Sequence, residues 1–320
     1  MERTRSATGR LGRGNGNSKK SSAHLQQSKE LRFQFIEDHR SRYSVEKMCS
    51  TLEVSRSGYY KWRIAKPSLQ AARKALQCQR ITYYFHDTKG RYGSPKITIL
   101  LQREGHVVSE RTVGKYMREL GFRSCVAKKF RVNTTDSNHD LPVTPNLLNQ
   151  QFFSEKPNQT WVADITYIPC REGRMYLASV LDLCTREIVG WRLGDRMTTD
   201  LVLGALDDAY KAKCPKKDLI HHSDRGSQYA SADYRERLET YQMRASMSRK
   251  GNCYDNACIE SFHSLLKKEF VYCTRFKTKK QAYDEIYQYI EFFYNRKRIH
   301  GALGYISPVQ FAAKFKRKAA

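Results

Sequence analysis

The sequence predicts an α/β protein in which a mixed β-sheet with helices on its faces follows small all-α helix-turn-helix units. Three β-rich runs, WVADITYI, RMYLASVLDL and EIVGWRL, are separated by short turns, which is typical of an antiparallel meander. Helical and β-rich stretches then alternate, and the resulting order βββαβαβα predicts a mixed sheet covered by helices. Ahead of these strands, the apolar residues recur at helical spacing instead.

The composition indicates more than one domain and a polyanionic partner. The chain has 320 residues, 40% of them hydrophobic, which is enough for one large core and smaller modules. Its formal net charge of +26 favours nucleic acid because each neutralised phosphate releases counterions, although a ribosomal or membrane-surface protein would share this charge. No apolar run is long enough to span a bilayer, so we expect a cytoplasmic, nucleoid-associated protein without a membrane partner.

The cysteines indicate neither a disulfide framework nor a zinc site. There are nine of them and they form no CxxC pair, which predicts reduced thiols in a cytosolic protein. Cys253 and Cys258 come nearest to a metal pattern, but no second ligand pair follows at zinc-finger spacing.

Shifts in composition divide the chain into six predicted segments. The N-terminal segment is rich in Gly, Ser, Lys and Arg, and the segment before the strands contains three prolines. The predicted segments are a disordered basic tail at 1–27, helix-turn-helix-like units at 28–66 and 74–135, a linker at 136–157, a mixed-sheet core at 158–275, and a C-terminal helix with a basic tail at 276–320.

Both helical units have a helix-turn-helix pattern, and the second pattern is clearer. A helix follows Pro95, Gly105 interrupts it, and Ser109 is placed to cap the next helix. The apolar face of that next helix consists of Val113, Met117 and Leu120. Its exposed face carries three candidate DNA contacts, Arg111, Lys115 and Arg118. An ordinary helical pair with solvated charges fits the same pattern equally well.

Three acids lie in NCYDNACIESFHSLLKKEF, which predicts one amphipathic helix. Asp255 precedes the apolar stripe and suits an N-cap, whereas Glu269 is expected on the solvated face. Glu260 lies at the edge of the stripe, where its carboxylate can lean toward a bound group. Unless other acids lie nearby, a surface Glu260 paired with Ser264 or Lys267 is the plainer interpretation.

Two acids elsewhere can meet Glu260. Asp164 interrupts the first strand, and Asp224 follows the fourth strand, which can be its neighbour in the sheet. Taken singly, Asp164 suits a hydrogen-bonded strand acid and Asp224 a turn former. Together, the three carboxylates predict a catalytic site that binds Mg²⁺, with Mn²⁺ as a substitute. Two ions about 4 Å apart could there activate a water or a 3′-hydroxyl and stabilise a leaving oxygen. His221 and His222 are not included, since a strand directs them to opposite faces.

These residues also carry a resemblance. Asp164, Asp224 and Glu260, with 35 residues between the last two, resemble the DDE triad of the retroviral-integrase superfamily. The stretches HSDRGSQY, SMSRKGNCYDNACIESFHSLLKKE and YNRKRIHGALGYISPVQF resemble the downstream-frame (OrfB) transposases of the IS-three group of bacterial insertion sequences. The similarity runs from about Tyr43 to Phe311.

The resemblance implies an RNase H-like integrase catalytic core at 158–275 with two magnesium ions per active site. It also implies a polynucleotidyl transferase that nicks an element end and uses the freed 3′-OH to attack DNA. Lys267, seven residues after Glu260, is implied to contact the DNA end. Asn256, one turn before Glu260, and Arg298 in the C-terminal motif are further candidate DNA contacts, although Arg298 also suits pairing with a carboxylate.

The expected partner is double-stranded DNA, both as insertion-sequence ends and as target, bound by a homo-oligomer. No leucine-heptad segment is evident in the sequence, and in the family it belongs to the upstream-frame (OrfA) product, so that product or a fusion to it is a further expected partner. Two other functions are open. One is a non-enzymatic helix-turn-helix regulator with a degenerate core, and the other is an RNase H-like nuclease without strand transfer.

Overall fold

The computed structural model divides the chain into two compact units, Met1–Leu76 and Gln77–Ala320. The predicted disordered tail at 1–27 and the beginning of the predicted linker lie outside the described residues. The structure describes residues 28–65, 68–125, 142–250 and 252–319.

The first unit contains a three-helix cluster. Its helices are α1 (Lys29–His39), α2 (Val45–Thr51) and α3 (Arg56–Ile64). Ile36 and Tyr59 are fully buried between them. The turn between α2 and α3 contains Glu53 in the left-handed region with φ 51°, and the Ser55 hydroxyl accepts a 3.0 Å hydrogen bond from the Gly58 N–H to cap α3. This is the helix-turn-helix arrangement that the sequence predicts.

The second unit contains the other predicted helical pair. The boundary between the units falls within α4 (Leu69–Asp87), and the pair that follows consists of α5 (Ser94–Arg103) and α6 (Glu110–Glu119). The Ser109 hydroxyl caps α6 by accepting a 3.3 Å hydrogen bond from the Thr112 N–H, as predicted. Leu120 follows the last residue of α6 and is 36% exposed, so its predicted place on the buried face is wrong.

Five strands form one sheet with the order β3-β2-β1-β4-β5. They are β1 (Thr160–Cys170), β2 (Gly173–Asp182), β3 (Ile188–Gly194), β4 (Ile220–Ser223) and β5 (Arg244–Met247). The first three strands pair antiparallel, whereas β4 pairs parallel with both β1 and β5. The predicted meander and the predicted mixed sheet are both confirmed.

Helices cover both faces of the sheet because successive residues of β1 point to opposite sides. Trp161 and Ala163 pack under α7 (Thr199–Lys213), α8 (Ser227–Ala230) and α9 (Ala232–Thr240). On the other face, Val162 and Ile168 belong to the core that includes Ile259 and Phe262 of α10 (Ala257–Glu269). Helices therefore cover both faces of β1, the strand that carries Asp164.

The predicted linker contains no helix or strand in its described part, but it packs firmly on this unit. Leu148 is buried, and the side-chain amides of Asn146 and Gln150 both donate 2.9 Å hydrogen bonds to Asp255, just before α10. This stretch of chain therefore supports the entrance to α10.

The predicted long C-terminal helix changes its hydrogen-bonding pattern midway. It begins as α11 (Lys279–Tyr287) and continues as a π-helical segment, Gln288–Tyr294. The side chain of Asn295 then pairs with both the N–H and the carbonyl of Ile188, each at 2.9 Å, which attaches the helix end to β3. The predicted basic tail lies in a last helix, α12 (Pro308–Ala319). Within the described ranges, none of the helices is long and apolar enough to cross a membrane.

Candidate active site and nucleic-acid interface

The sheet brings two of the predicted acids side by side. In the parallel pair β1–β4, Ala163 lies opposite Ser223, so the next residues along each strand are Asp164 and Asp224. Asp224 begins the loop after β4, where its Oδ1 accepts a 2.9 Å hydrogen bond from the Gly226 N–H. This arrangement follows from strand order and register alone.

Glu260 joins the two aspartates from the first turn of α10, on an exposed part of that helix. Partial loss of hydration, together with the negative charges of Asp164 and Asp224, raises the pKa of Glu260. The charges of both aspartates thus act on the Glu260 carboxyl.

The donor set of this site has the chemistry that hard cations require. Three carboxylates offer only oxygen ligands, which suit magnesium or manganese better than softer metals. In the parts of the chain that the structure describes, no three His, Cys, Asp or Glu side chains stand close enough together to form a metal centre. The residue types fit a divalent ion, whereas their spacing is wider than that of a closed coordination shell.

His263 and Ser179 also belong to this site, and the sequence analysis missed both. His263 Nδ1 lies 3.3 Å from Asp164 Oδ2, and His263 Nε2 lies 2.7 Å from Ser179 Oγ. Two signals could have indicated them. His263 follows Glu260 by about one helical turn, and Ser179 lies opposite Asp164 in the β1–β2 register.

Lys267 reaches the same region from the next turns of α10. Its Nζ lies 4.1 Å from the centroid of the Tyr167 ring, a cation–π contact. Burial lowers the pKa of Lys267, and the charge of Asp164 opposes that shift. Its ammonium group is thus half-buried within electrostatic reach of the acids.

Comparison with known proteins identifies the family of this chain. The integrase core domain family matches residues 154–253 and, in a second part, 260–315, and an HTH-like domain family matches residues 71–130. The chain is 45% identical to the insertion element IS600 uncharacterized 31 kDa protein of Shigella sonnei, over 85% of this chain and 100% of that protein. It is 39% identical to the transposase InsF for insertion sequence IS3A of Escherichia coli, over 89% of this chain and 99% of that protein. The chain belongs to the IS3-group transposases.

Two solved structures are also similar to this transposase. The magnesium complex of the HTLV-2 integrase catalytic core domain is 15% identical, covers 50% of this chain and 99% of that chain, and gives a TM-score of 0.39. A simian T-cell lymphotropic virus intasome is 14% identical, covers 72% of this chain and 74% of that chain, and gives a TM-score of 0.43.

The structure assigns Asn256 a different position from the predicted DNA contact. Its side chain is only 3% exposed, and its Nδ2 donates a 2.9 Å hydrogen bond to the carbonyl of Ala163. Its Oδ1 is buried without a hydrogen-bond partner among the described residues. Asn256 therefore fastens the start of α10 to β1 beside Asp164 and does not present its side chain to solvent.

Asp255 is not the N-cap of α10, which corrects the sequence prediction. It lies fully buried in a 3₁₀ turn and accepts hydrogen bonds from the Arg249 backbone at 2.8 Å and from the Arg249 side chain at 2.8 and 3.0 Å. Hydrogen bonds from the Arg249 side chain are the largest cause that holds the pKa of Asp255 well below its usual range. The cap position itself is Asn256, whose side chain makes no capping hydrogen bond.

Two predictions at the other end of α10 also need correction. Glu269 is buried and not solvated, and it accepts hydrogen bonds of 2.7 and 2.9 Å from the buried guanidinium of Arg298. Burial raises the pKa of Glu269, but the hydrogen bonds and charge of Arg298 outweigh it, so the pKa lies below its usual range. Because its donors are occupied inside the fold, Arg298 is not a DNA contact in this structure. The alternative of pairing with a carboxylate is the one found.

The three basic candidates on α6 are exposed. Arg111, Lys115 and Arg118 all present their side chains to solvent. Lys115 Nζ lies 3.9 Å from the Glu119 carboxylate, and Arg118 Nε donates a 3.3 Å hydrogen bond to the carbonyl of Gly114. These contacts are weak and leave both side chains accessible, so contact with DNA through this face stays a prediction.

The two adjacent histidines of β4 are enclosed in the fold. His221 accepts or donates a 3.2 Å hydrogen bond with the Tyr234 hydroxyl, and His222 bonds the hydroxyls of Ser246 and Ser248 at 2.8 and 3.1 Å. Burial lowers the pKa of His221 to about 3 and that of His222 to about 4. Both imidazoles are therefore neutral at physiological pH, and they make hydrogen bonds inside the fold. None of the eight cysteines whose side chains are described forms a disulfide.

Proposed function

We propose that this transposase cleaves insertion-sequence DNA ends and joins the freed 3′-OH to DNA by phosphoryl transfer at Asp164, Asp224 and Glu260. The observation that carries the proposal is the register of β1 and β4, which brings Asp164 and Asp224 side by side, with Glu260 on the helix α10 that packs on β1. The charges of both aspartates add to burial, the larger cause, in raising the pKa of Glu260.

The same three carboxylates are the proposed ligands of Mg²⁺, which Mn²⁺ could replace, with two ions per active site. When bound, such ions would neutralise phosphate charge and lower the pKa of an attacking water or hydroxyl. Burial and, to a lesser extent, the repulsion of the two aspartates raise the pKa of Glu260, and a bound cation would relieve that repulsion. The all-oxygen donor set is what fits the metal despite the open spacing.

Basic residues of the chain would hold the DNA. Lys267, held over the Tyr167 ring, is proposed to bind a phosphate at the cut end, where a cation gains a charge-assisted contact. The exposed Arg111, Lys115 and Arg118 would contact the duplex away from the cut. The proposal thus assigns phosphoryl transfer to the three acids and DNA binding to the basic residues.

Several broader features belong to the same proposal. The division into segments at 1–27, 28–66, 74–135, 136–157, 158–275 and 276–320 remains our proposed domain organisation. We expect a homo-oligomer on DNA, assisted by the upstream-frame product, because two element ends must be held together before joining. A protein that acts on chromosomal DNA would work at the nucleoid in the cytoplasm.

The decisive experiment is a strand-transfer assay with a labelled element end and divalent metal. Asp164→Asn, Asp224→Asn and Glu260→Gln are each expected to abolish cleavage and joining while leaving DNA binding nearly intact. Glu236→Gln, an exposed acid of α9, is the matched control and should behave as wild type. Activity within about tenfold of wild type, roughly 1.4 kcal/mol of barrier, would remove that residue from the site.

The same assay separates the two rival functions. A non-enzymatic regulator would show no cleavage by the wild-type chain at any metal concentration. A nuclease without strand transfer would cleave the end but yield no joined product.

A further inference from the structure

A series of buried polar side chains runs from Ser179 on β2 through His263 on α10 to Asp164 in the acidic site. Ser179 Oγ lies 2.7 Å from His263 Nε2, and His263 Nδ1 lies 3.3 Å from Asp164 Oδ2. Ser179 is 1% exposed and His263 is 5% exposed. Because the Ser179 hydroxyl and the His263 imidazole are shielded from water, each must find its hydrogen-bond partners within this series of side chains.

We propose that His263 is a positioning residue that holds the Asp164 carboxylate in its working orientation, with Ser179 holding the imidazole from its other nitrogen. This inference rests on the proposed function, since it assumes that Asp164 is a reacting-site ligand. It assigns a role to two buried side chains that do not supply one of the three carboxylates.

The direction of the hydrogen bonds follows from the Asp164 carboxylate, which is the acceptor at one end of this series. A carboxylate can only accept, so His263 Nδ1 must carry its hydrogen toward Asp164. In the tautomer with its hydrogen on Nδ1, the lone pair lies on Nε2, and the Ser179 hydroxyl can donate to it. The opposite tautomer would set the Nδ1 lone pair against the carboxylate oxygen, which is repulsive. The Asp164 carboxylate therefore sets the tautomer, and Ser179 satisfies the other nitrogen and holds the ring in place.

Ser179, His263 and Asp164 are the residue types of a serine hydrolase triad, but they do not form a nucleophilic site. A nucleophilic serine must meet its substrate, whereas the Ser179 hydroxyl is buried in the sheet opposite Asp164 in the β1–β2 register. The Ser179 hydroxyl is the buried end of this series of side chains, and the Asp164 carboxylate is the end that faces the site.

The location of His263 shows which two elements the contact between His263 and Asp164 connects. The residue lies on α10 about one turn from Glu260, whereas Asp164 lies on β1. The contact between His263 and Asp164 thus links the helix that carries one acid to the strand that carries another. Loss of this contact would free the Asp164 carboxylate to rotate and would loosen its relation to Glu260.

The test is a double-mutant cycle with Ser179→Ala, His263→Phe and the double variant. His263→Phe keeps a flat ring but removes both nitrogens, and Ser179→Ala removes only the hydroxyl. Two quantities are measured for each full-length protein: Mn²⁺ affinity by electron paramagnetic resonance without DNA, and the strand-transfer rate. Thermal unfolding of each variant checks that the fold is retained.

We expect His263→Phe to weaken Mn²⁺ binding and strand transfer by roughly ten- to hundredfold, as is usual when the partner of a metal ligand is removed. Ser179→Ala should weaken both by a smaller factor in the wild-type background and by no further factor when His263 is already Phe, because its effect passes through the ring. Should His263→Phe destabilise the fold, the Ser179→Ala result alone decides.

Two outcomes would overturn the proposal. Wild-type Mn²⁺ affinity in a folded His263→Phe protein would show that the ring does not support Asp164. Independent, multiplicative losses from Ser179→Ala and His263→Phe would show that the hydroxyl does not act through the imidazole. Failure of the proposed function itself would look different, since the wild-type protein would then give no joined product, or Asp164→Asn would leave Mn²⁺ binding and strand transfer unchanged.

Discussion

Lys267 is the residue whose surroundings predict the sharpest separation between DNA grip and metal binding. We expect Lys267→Ala to weaken binding of the cut end and to slow joining, while the metal concentration needed for activity changes little. The reason is that its ammonium, which lies near the acids, is proposed to bind phosphate and offers no ligand to a metal ion. End binding is measured by gel shift with and without magnesium, and Lys268→Ala on the neighbouring position serves as the control.

The ring under Lys267 supplies a second pair of variants. Tyr167→Phe keeps the aromatic face and should leave end binding unchanged, whereas Tyr167→Leu removes the cation–π contact and should resemble a mild form of Lys267→Ala. Equal behaviour of Phe and Leu at this position would mean that the ring does not hold the ammonium in place.

Single residues also differ in how far their roles could be read from the sequence. Asp164 and Asp224 were predictable because strand order and register alone bring them together. Asn256 and Arg298 were not, because a polar side chain looks the same in sequence whether it meets DNA or a buried carbonyl or carboxylate. What decides between these fates is long-range packing, which spacing along one helix does not contain.

At the level of elements, the turn that leads into α10 is held by one buried carboxylate. Asp255 accepts hydrogen bonds from Arg249, Asn146 and Gln150, so it joins the turn to the predicted linker. The hydrogen bonds from Arg249 keep the pKa of Asp255 below its value of about 3.9 in an unfolded chain. A lowered carboxyl pKa contributes stability above that unfolded value and loses it as the pH falls.

Asp255→Asn should therefore lower the stability of the protein at pH 7 and flatten its decline in acid. Urea midpoints measured from pH 7 down to pH 2.5 should converge between variant and wild type as the pH falls below about 4. Asp233→Asn, an exposed residue of α9, is the control with an unperturbed profile. Parallel curves for Asp255→Asn and wild type would show that this carboxylate does not contribute through its charge.

The other end of α10 depends on a buried ion pair that connects it to the C-terminal motif. Glu269 receives Arg298 in two hydrogen bonds, and Lys96 of α5 approaches the same carboxylate at 3.7 Å. Burial is the main cause that lowers the pKa of Lys96 to about 8. Three elements that are distant in the sequence thus meet at one carboxylate.

Glu269→Gln should destabilise the protein by about 3–5 kcal/mol, because it leaves a buried guanidinium without its counter-charge. The double variant Glu269→Leu with Arg298→Met should lose less, since it also removes the buried guanidinium and leaves only the partly exposed Lys96 without its carboxylate. Urea unfolding measures both, with Glu236→Gln as the exposed control. A double variant less stable than the single one would show that shape, and not charge, makes this contact.

The elements themselves were predicted more completely than their junctions. Alternating and helical periodicity sufficed for the five strands and for α5, α6, α7, α9 and α10, because these patterns are local. The π-helical segment at Gln288–Tyr294 and the packed path of the predicted linker were missed. Both depend on which surface the chain meets after folding, which no local window records.

At the scale of the whole molecule, charge and selectivity are separate properties. A net charge of +26 and two helix-turn-helix-like units give strong affinity for any DNA, and this affinity should fall steeply as salt rises because binding releases counterions. Choosing one element end in a chromosome requires base-edge contacts, and usually two copies of the protein at a fixed spacing.

We therefore expect this polypeptide alone to bind element ends and unrelated DNA with similar strength, and to become selective only when the upstream-frame product is added or fused. The measurement is a competition gel shift at physiological salt, with labelled element ends against unrelated DNA of equal length. Repeating it at several salt concentrations separates the phosphate contribution, which should be the same for both DNAs. A preference of about a thousandfold by the isolated chain, the lower limit of specific recognition, would show that its own helical units suffice. Selectivity that depends on the added product would instead assign end recognition to the assembly, because dimer spacing then supplies what the two units lack singly.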